Sequence, residues 1–171
     1  MIIEQHLVRF VVQNRLPGAP QPLFLSYARS GAGFDLGELE IRNRYWIFKY
    51  TLAGRGLLEG RGMSQALIPG TACLIRLPIE EGGYRYLVPE TEREPWASLY
   101  LEFTPGSGEA LFRPFLDRYG PVFSLGAGSP LLRELLALHA ARRELGLCYL
   151  DGLEAQRLIC AIFGALGRVG A

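Results

Sequence analysis

Residues 50–70 read YTLAGRGLLEGRGMSQALIPG, five glycines and two Gly-Arg-Gly triplets set between short apolar runs. Glycine at this density serves either a phosphate-binding loop or the corners of a folded sheet. The spacing of Gly54, Gly56, Gly60, Gly62 and Gly70 matches neither GxGxxG nor GxxxxGK[ST]. A phosphate loop also needs a helix directly after it, and MSQALI has the pattern of a strand. The glycines therefore read as backbone devices. Gly54 and Gly56 mark a bulge or bend behind an aromatic strand, Gly60 and Gly62 flank Arg61 in a hairpin turn, and Gly70 completes a turn after Pro69.

Outward from this stretch, the chain from residue 5 to about 103 is short apolar runs broken by turn residues. YWIFKYTL (45–52) is the clearest strand, with Trp46, Phe48, Tyr50 and Leu52 alternating with Ile47, Lys49 and Thr51. HLVRFVVQ and LFLSYA precede it; SQALI (64–68), ACLIRL (72–77), YRYLV (84–88) and WASLYLEF (96–103) follow, while RSGAGFDLGE reads as loop. After residue 105 the period changes. GSGEALFRPFLDRYGP predicts a short helix with Ser107 as N-cap and Gly120-Pro121 as its stop. SPLLRELLALHAARREL predicts a second, capped by Ser129 with Pro130 at its first position. A third opens with Asp151 and Glu154 at capping-box spacing. The fold class is mainly β with a helical tail (α+β): residues 1–105 form a β-barrel and residues 106–171 a tail of two to three α-helices.

The 171 residues suit one domain that needs neither disulfide nor metal to hold it together. Net charge is +1 without a basic run, and of 18 basic residues only Lys49 is a lysine, which argues against a nucleic-acid surface on these residues. Cys73, Cys148 and Cys160 lack metal or redox spacing and read as small thiols in a reducing compartment. The polar N-terminus and the absence of a ~20-residue apolar run predict a cytoplasmic protein without membrane contact. Two histidines, His6 and His139, cannot assemble a His-rich metal centre, and no nucleophile elbow or carboxylate pair stands out, so neither catalytic residues nor a cofactor or metal are assigned.

Trp46, Phe48, Tyr50, Tyr86, Trp96 and Tyr100 could share an interior, either as pocket walls with hydrogen-bonding tips or as barrel filling. The order of YTLAGRGLLEGRGMSQALIPGTACLIRLP, YRYLVPETEREPW and LYLEF, with Gly54, Gly56, Gly70, Pro78, Tyr86, Pro89, Trp96 and Phe103 in place, resembles the N-terminal effector-binding and dimerisation domain of AraC-type transcription regulators over residues 40–105. The resemblance implies a cupin-like double-stranded β-helix or jelly-roll barrel that binds a small-molecule effector, sugar-like for the arabinose-responsive member of that family, and a homodimer formed through the helices. It also implies a C-terminal helix-turn-helix DNA-binding region, and the chain stops at LGRVGA without one. Where many relatives carry His before the Tyr, this chain has Gly82, Gly83 and Tyr84. Under the resemblance, Trp46, Tyr86, Trp96 and Tyr100 are candidate effector-binding residues, with Arg44 as polar anchor and Arg42 as its alternative. Leu132, Leu135, Leu136 and His139 are candidate dimerisation residues, and the alternative for that face is packing on the barrel. The competing functional reading is a small cupin-type enzyme acting on a sugar or small acid.

Overall fold

The computed structural model describes residues 1–39 and 41–169, so Glu40 and the last two residues of the expected tail lie outside the described residues. In chain order the elements are β1 (Ile2–Gln13), β2 (Pro22–Ser30), β3 (Tyr45–Ala53), β4 (Gly56–Gly60), β5 (Met63–Leu67), β6 (Thr71–Leu77), α1 (Ile79–Gly82), β7 (Arg85–Leu87), β8 (Trp96–Phe103), α2 (Glu109–Tyr119), β9 (Val122–Ser124), α3 (Pro130–Arg142), β10 (Leu147–Asp151) and α4 (Gly152–Val169). A seven-stranded sheet runs β10-β1-β2-β8-β3-β6-β9, and a three-stranded sheet runs β5-β4-β7. The expected class, mainly β with a helical tail, is what the chain adopts.

Three layers result, because both faces of the large sheet are covered. One core joins Val8, Leu25, Trp46, Phe48, Leu74, Leu99 and Leu101 of the large sheet to Phe112 of α2, Leu131 and Leu135 of α3 and Leu158 and Ile162 of α4. The other joins Ile47, Cys73, Ile75, Trp96 and Tyr100 to Leu58, Leu67 and Tyr86 of the small sheet. A strand buried on both faces loses the polar half of its alternation, which is why every residue of β3 from Trp46 to Thr51 is buried.

The tail is not purely helical. Its β9 pairs with β6, and β10 lies parallel to β1, with Arg9 opposite Leu147 and Gln13 opposite Asp151. The change of element type at residue 105 therefore divides neither the sheet nor the core. Strands of three and five residues give too short a pattern to register between helices. The expected Ser107 cap is corrected, and the expected Ser129 cap stands in place without a side-chain bond. A 3₁₀ turn at Gly106–Gly108 precedes α2, which starts at Glu109 without a side-chain cap, while the Ser107 N–H donates to the Gly18 carbonyl at 2.7 Å. Ser129 precedes Pro130 as expected, but only its carbonyl takes part, accepting from the Arg133 N–H at 3.1 Å. The capping box at α4 forms in full: the Asp151 N–H donates to Glu154 Oε2 and the Glu154 N–H to Asp151 Oδ1, each at 2.8 Å.

The glycine-rich stretch does form sheet corners. β4 and β5 are a hairpin in which Gly60 faces Met63 across Arg61 (φ 49°) and Gly62 (φ 78°), the positive-φ pair of a type I′ turn. A side chain at Gly62 would meet nothing within 4 Å, so Gly62→Ala should cost only the left-handed strain, about 1 kcal/mol in urea unfolding. Gly56 differs, because a Cβ there would stand 2.7 Å from the Trp96 indole. Gly56→Ala should cost about 1–3 kcal/mol by overpacking in the same measurement.

Candidate ligand-binding site

On β3 the side chains of Tyr45, Ile47, Lys49 and Thr51 share the face turned to the small sheet. Register places Lys49 opposite Tyr100 of β8 and Cys73 of β6, and Ile47 opposite Glu102 of β8. The small sheet contributes Tyr86, which meets Trp96 edge-on with ring centroids 5.6 Å apart. Trp96 is itself fixed by an indole N–H that donates to Thr51 Oγ1 at 3.1 Å. The segment between β2 and β3 lays Phe34 and Leu36 over this face and is pinned by backbone bonds to Val88 and by the Asp35–Arg85 ion pair at 2.8 Å. From β1, Gln5 Nε2 donates to the Tyr100 hydroxyl at 2.6 Å. Together these elements enclose a cavity of about 260 Å³ onto which Lys49, Glu102, Tyr45, Tyr86 and Tyr100 open.

Electrostatically the cavity is governed by burial. The Lys49 ammonium lies 4.1, 4.6 and 4.7 Å from the ring centroids of Tyr86, Trp96 and Tyr100, a three-sided cation–π cage. Desolvation lowers its pKa from 10.5 to about 7, opposed by the Cys73 and Glu102 charges. Burial raises Glu102 to about 7 against the pull of Lys49, and raises the Cys73 thiol to about 12. It also raises the phenols of Tyr45, Tyr86 and Tyr100, which keeps them neutral hydrogen-bonding groups near pH 7.

Of the five candidate effector residues, Tyr86, Trp96 and Tyr100 come together around Lys49. Trp46 and Arg44 do not join them. Trp46 sits on the opposite face of β3, stacked at 5.3 Å on Phe112, with its indole N–H donating to Glu109 Oε2 at 3.2 Å. Arg44 is exposed and pairs with Glu81 at 2.8 Å. Arg76 links the two positions through Glu81 and Glu109, each at 2.9 Å, so Arg44 and Trp46 belong to a junction of α1, β6 and α2. The reason is the period of two: it sorts side chains onto two faces but does not say which face meets which neighbour. Lys49, Glu102 and Gln5 escaped the sequence reading. The available signal was the one lysine of the chain, set mid-strand between aromatics.

The candidate dimerisation residues divide as well. Leu132, Leu135 and His139 are buried in the chain's own core, and His139 Nε2 donates to the His6 carbonyl at 2.9 Å. Only Leu136 of the four is exposed, at 38%. Among the described residues no three His, Cys, Asp or Glu side chains are grouped as a metal site would need, and no helix is long and apolar enough to cross a membrane.

No family model matches the chain, and no curated protein matches its sequence. Similar solved structures include a predicted oxalate decarboxylase from Thermotoga maritima, 14% identical over 49% of this chain and 68% of that one, with a TM-score of 0.38. A cupin protein from Bacteroides fragilis is 17% identical over 49% of this chain and 67% of its own, with a TM-score of 0.36. The AraC-like transcriptional activator CuxR is 20% identical with a TM-score of 0.46, and the match covers 86% of this chain but half (50%) of that protein. The structural neighbours are thus cupin proteins together with an AraC-like regulator.

Proposed function

We propose that the chain is a ligand-sensing and dimerisation domain of an AraC-type transcription regulator acting in the cytoplasm, with a small-molecule effector held between the two sheets. DNA contact would fall to a helix-turn-helix region of the longer protein. The observation that carries this reading is the 260 Å³ cavity walled by both sheets and lined by ionisable and phenolic groups. The order of motifs over residues 40–105 supports the regulatory half. The connectivity supplies a route for the signal. Ile2 and Gln5 of β1 line the cavity, the far end of β1 pairs with β10, and β10 runs directly into α4. An effector that prefers one packing of these elements shifts the population toward it.

The test is a thermal-shift screen: an effector at 100 times its Kd should add about 2.7 kcal/mol to the stability of the wild type. Ala28→Phe, which fills the cavity wall, should abolish that gain while the protein remains folded by circular dichroism. A gain that persists in Ala28→Phe would place the ligand elsewhere. A second reading, a cupin-type enzyme acting on a sugar or small acid, is favoured by one observation: Lys49 and Glu102 both titrate at about 7 in one cavity, which suits proton transfer. Turnover of a ligand found in the screen, lost in Glu102→Gln, would establish it in place of sensing.

A further inference from the structure

Lys49 as a whole residue is 3% exposed, and its side chain opens onto the cavity between the sheets. The three rings around it attract its charge but offer none of its three N–H donors a lone pair. Among the described residues no oxygen accepts a hydrogen bond from it and no carboxylate lies at salt-bridge distance. Glu102 opens onto the same cavity, and among the described residues its side chain likewise has no hydrogen bond or ion pair. A cation held off bulk water without a protein acceptor is costly to the fold unless something entering the cavity supplies that acceptor. Lys49 is the one lysine among 18 Lys and Arg residues, a compact ammonium with three donors on a flexible stem. The cavity volume falls just below the range of about 300–1,000 Å³ typical of drug-sized ligands, which points to a metabolite-sized occupant. A neutral ligand would leave the ammonium without a charged acceptor in contact with it, since Glu102 acts on it only from beyond salt-bridge distance.

We infer that the cavity takes a small organic acid that also carries a hydroxyl group, its carboxylate accepting from the Lys49 ammonium and its hydroxyl donating to Glu102, with the apolar body against Phe34, Leu36 and Ile47. The inference rests on the ligand-sensing reading and narrows it to one class of ligand. A single lysine means that protein labelled with [13C]lysine gives one side-chain signal, which reports on the site directly. The probes are 4-hydroxybenzoate and mandelate, their amides 4-hydroxybenzamide and mandelamide, and the neutral sugars arabinose and glucose. The acids should move the Lys49 signal and raise the unfolding midpoint, with the amides binding at least about tenfold more weakly. In Lys49→Met, checked for folding by circular dichroism, the acids should bind no better than the amides. Amides or sugars that bind the wild type as well as the acids do, or an acid preference that survives in Lys49→Met, would overturn the acid class while leaving ligand sensing intact. If neither acids nor neutral probes bind, the acid class is overturned and the sensing reading loses its support with it.

Discussion

Lys49→Met should raise the stability of the ligand-free protein by about 3 kcal/mol at pH 7 and remove most of its increase between pH 7 and pH 9. Lys49 titrates at about 7 in the folded protein against an ordinary 10.5, because burial disfavours the ammonium. Between those two values the unfolded chain binds a proton that the folded chain does not, so stability rises with pH across that window. Below pH 7 both states carry the proton and the full penalty applies. The fall from 10.5 to about 7 corresponds to a penalty of about 4–5 kcal/mol at that limit, from which roughly 1–2 kcal/mol is subtracted for the ring contacts that the substitution gives up. Glu102 acts in the opposite sense. Raised from 4.5 to about 7, it holds its proton longer in the folded state, and its contribution is lost as pH rises from 4.5 to 7. The two groups together place a stability minimum near neutral pH, followed by a gain of about 2 kcal/mol by pH 9. Above that the gain ends, since Cys73 and the Tyr45, Tyr86 and Tyr100 phenols all favour their neutral forms in the fold and unfolding then releases protons. Urea unfolding at half-unit pH steps reads the whole curve. A wild-type profile flat from pH 7 to 9, or one unchanged by Lys49→Met, would mean that the ammonium is hydrated in the folded state.

The same residue shows where the sequence was legible and where it was not. Periodicity placed β3, β6 and β8 within a residue or two, because each is a continuous run bounded by turn signals. The hairpin at Gly60–Met63 was legible because positive φ at two successive positions leaves few residue choices. The α4 capping box was legible because its partners are three residues apart. What the sequence withheld was the layering. β3 is buried on both faces, so its large aromatics and its lysine looked like an inside and an outside when both are inside. Trp46, Phe48 and Tyr50 share a core with helices more than fifty residues distant, and Lys49 meets Tyr86, Trp96 and Tyr100 from two other strands. Such contacts follow from which sheet face the tail covers, and that is set by β10 pairing with β1, a register that no local pattern announces. The site was therefore legible as a list of rings and not as an arrangement around a cation.

Leu135→Glu should unfold the domain rather than yield a soluble monomer. Leu135 is 1% exposed and packs with Leu131, Leu132, Leu158 and Ile159 in the core between the large sheet and the helices. The substitution removes a buried apolar side chain, a loss of about 2–5 kcal/mol, and puts a carboxylate without a partner in its place. The sum is comparable with the whole stability of a domain of this size, about 5–15 kcal/mol. Leu136, one residue on and 38% exposed, lies about 100° further round α3, at the edge of the buried face. Leu136→Glu should change stability by less than about 1 kcal/mol. If the outer face of α3 forms the subunit contact, Leu136→Glu gives a folded monomer. Circular dichroism reads the folding of both variants and light scattering reads their mass. A Leu135→Glu protein that is folded and monomeric would assign the buried face of α3 to the dimer and detach it from the sheet. The paired result expected, an unfolded Leu135→Glu beside a folded Leu136→Glu, keeps that face of α3 in the chain's own core, where its leucines hold the helix to the sheet.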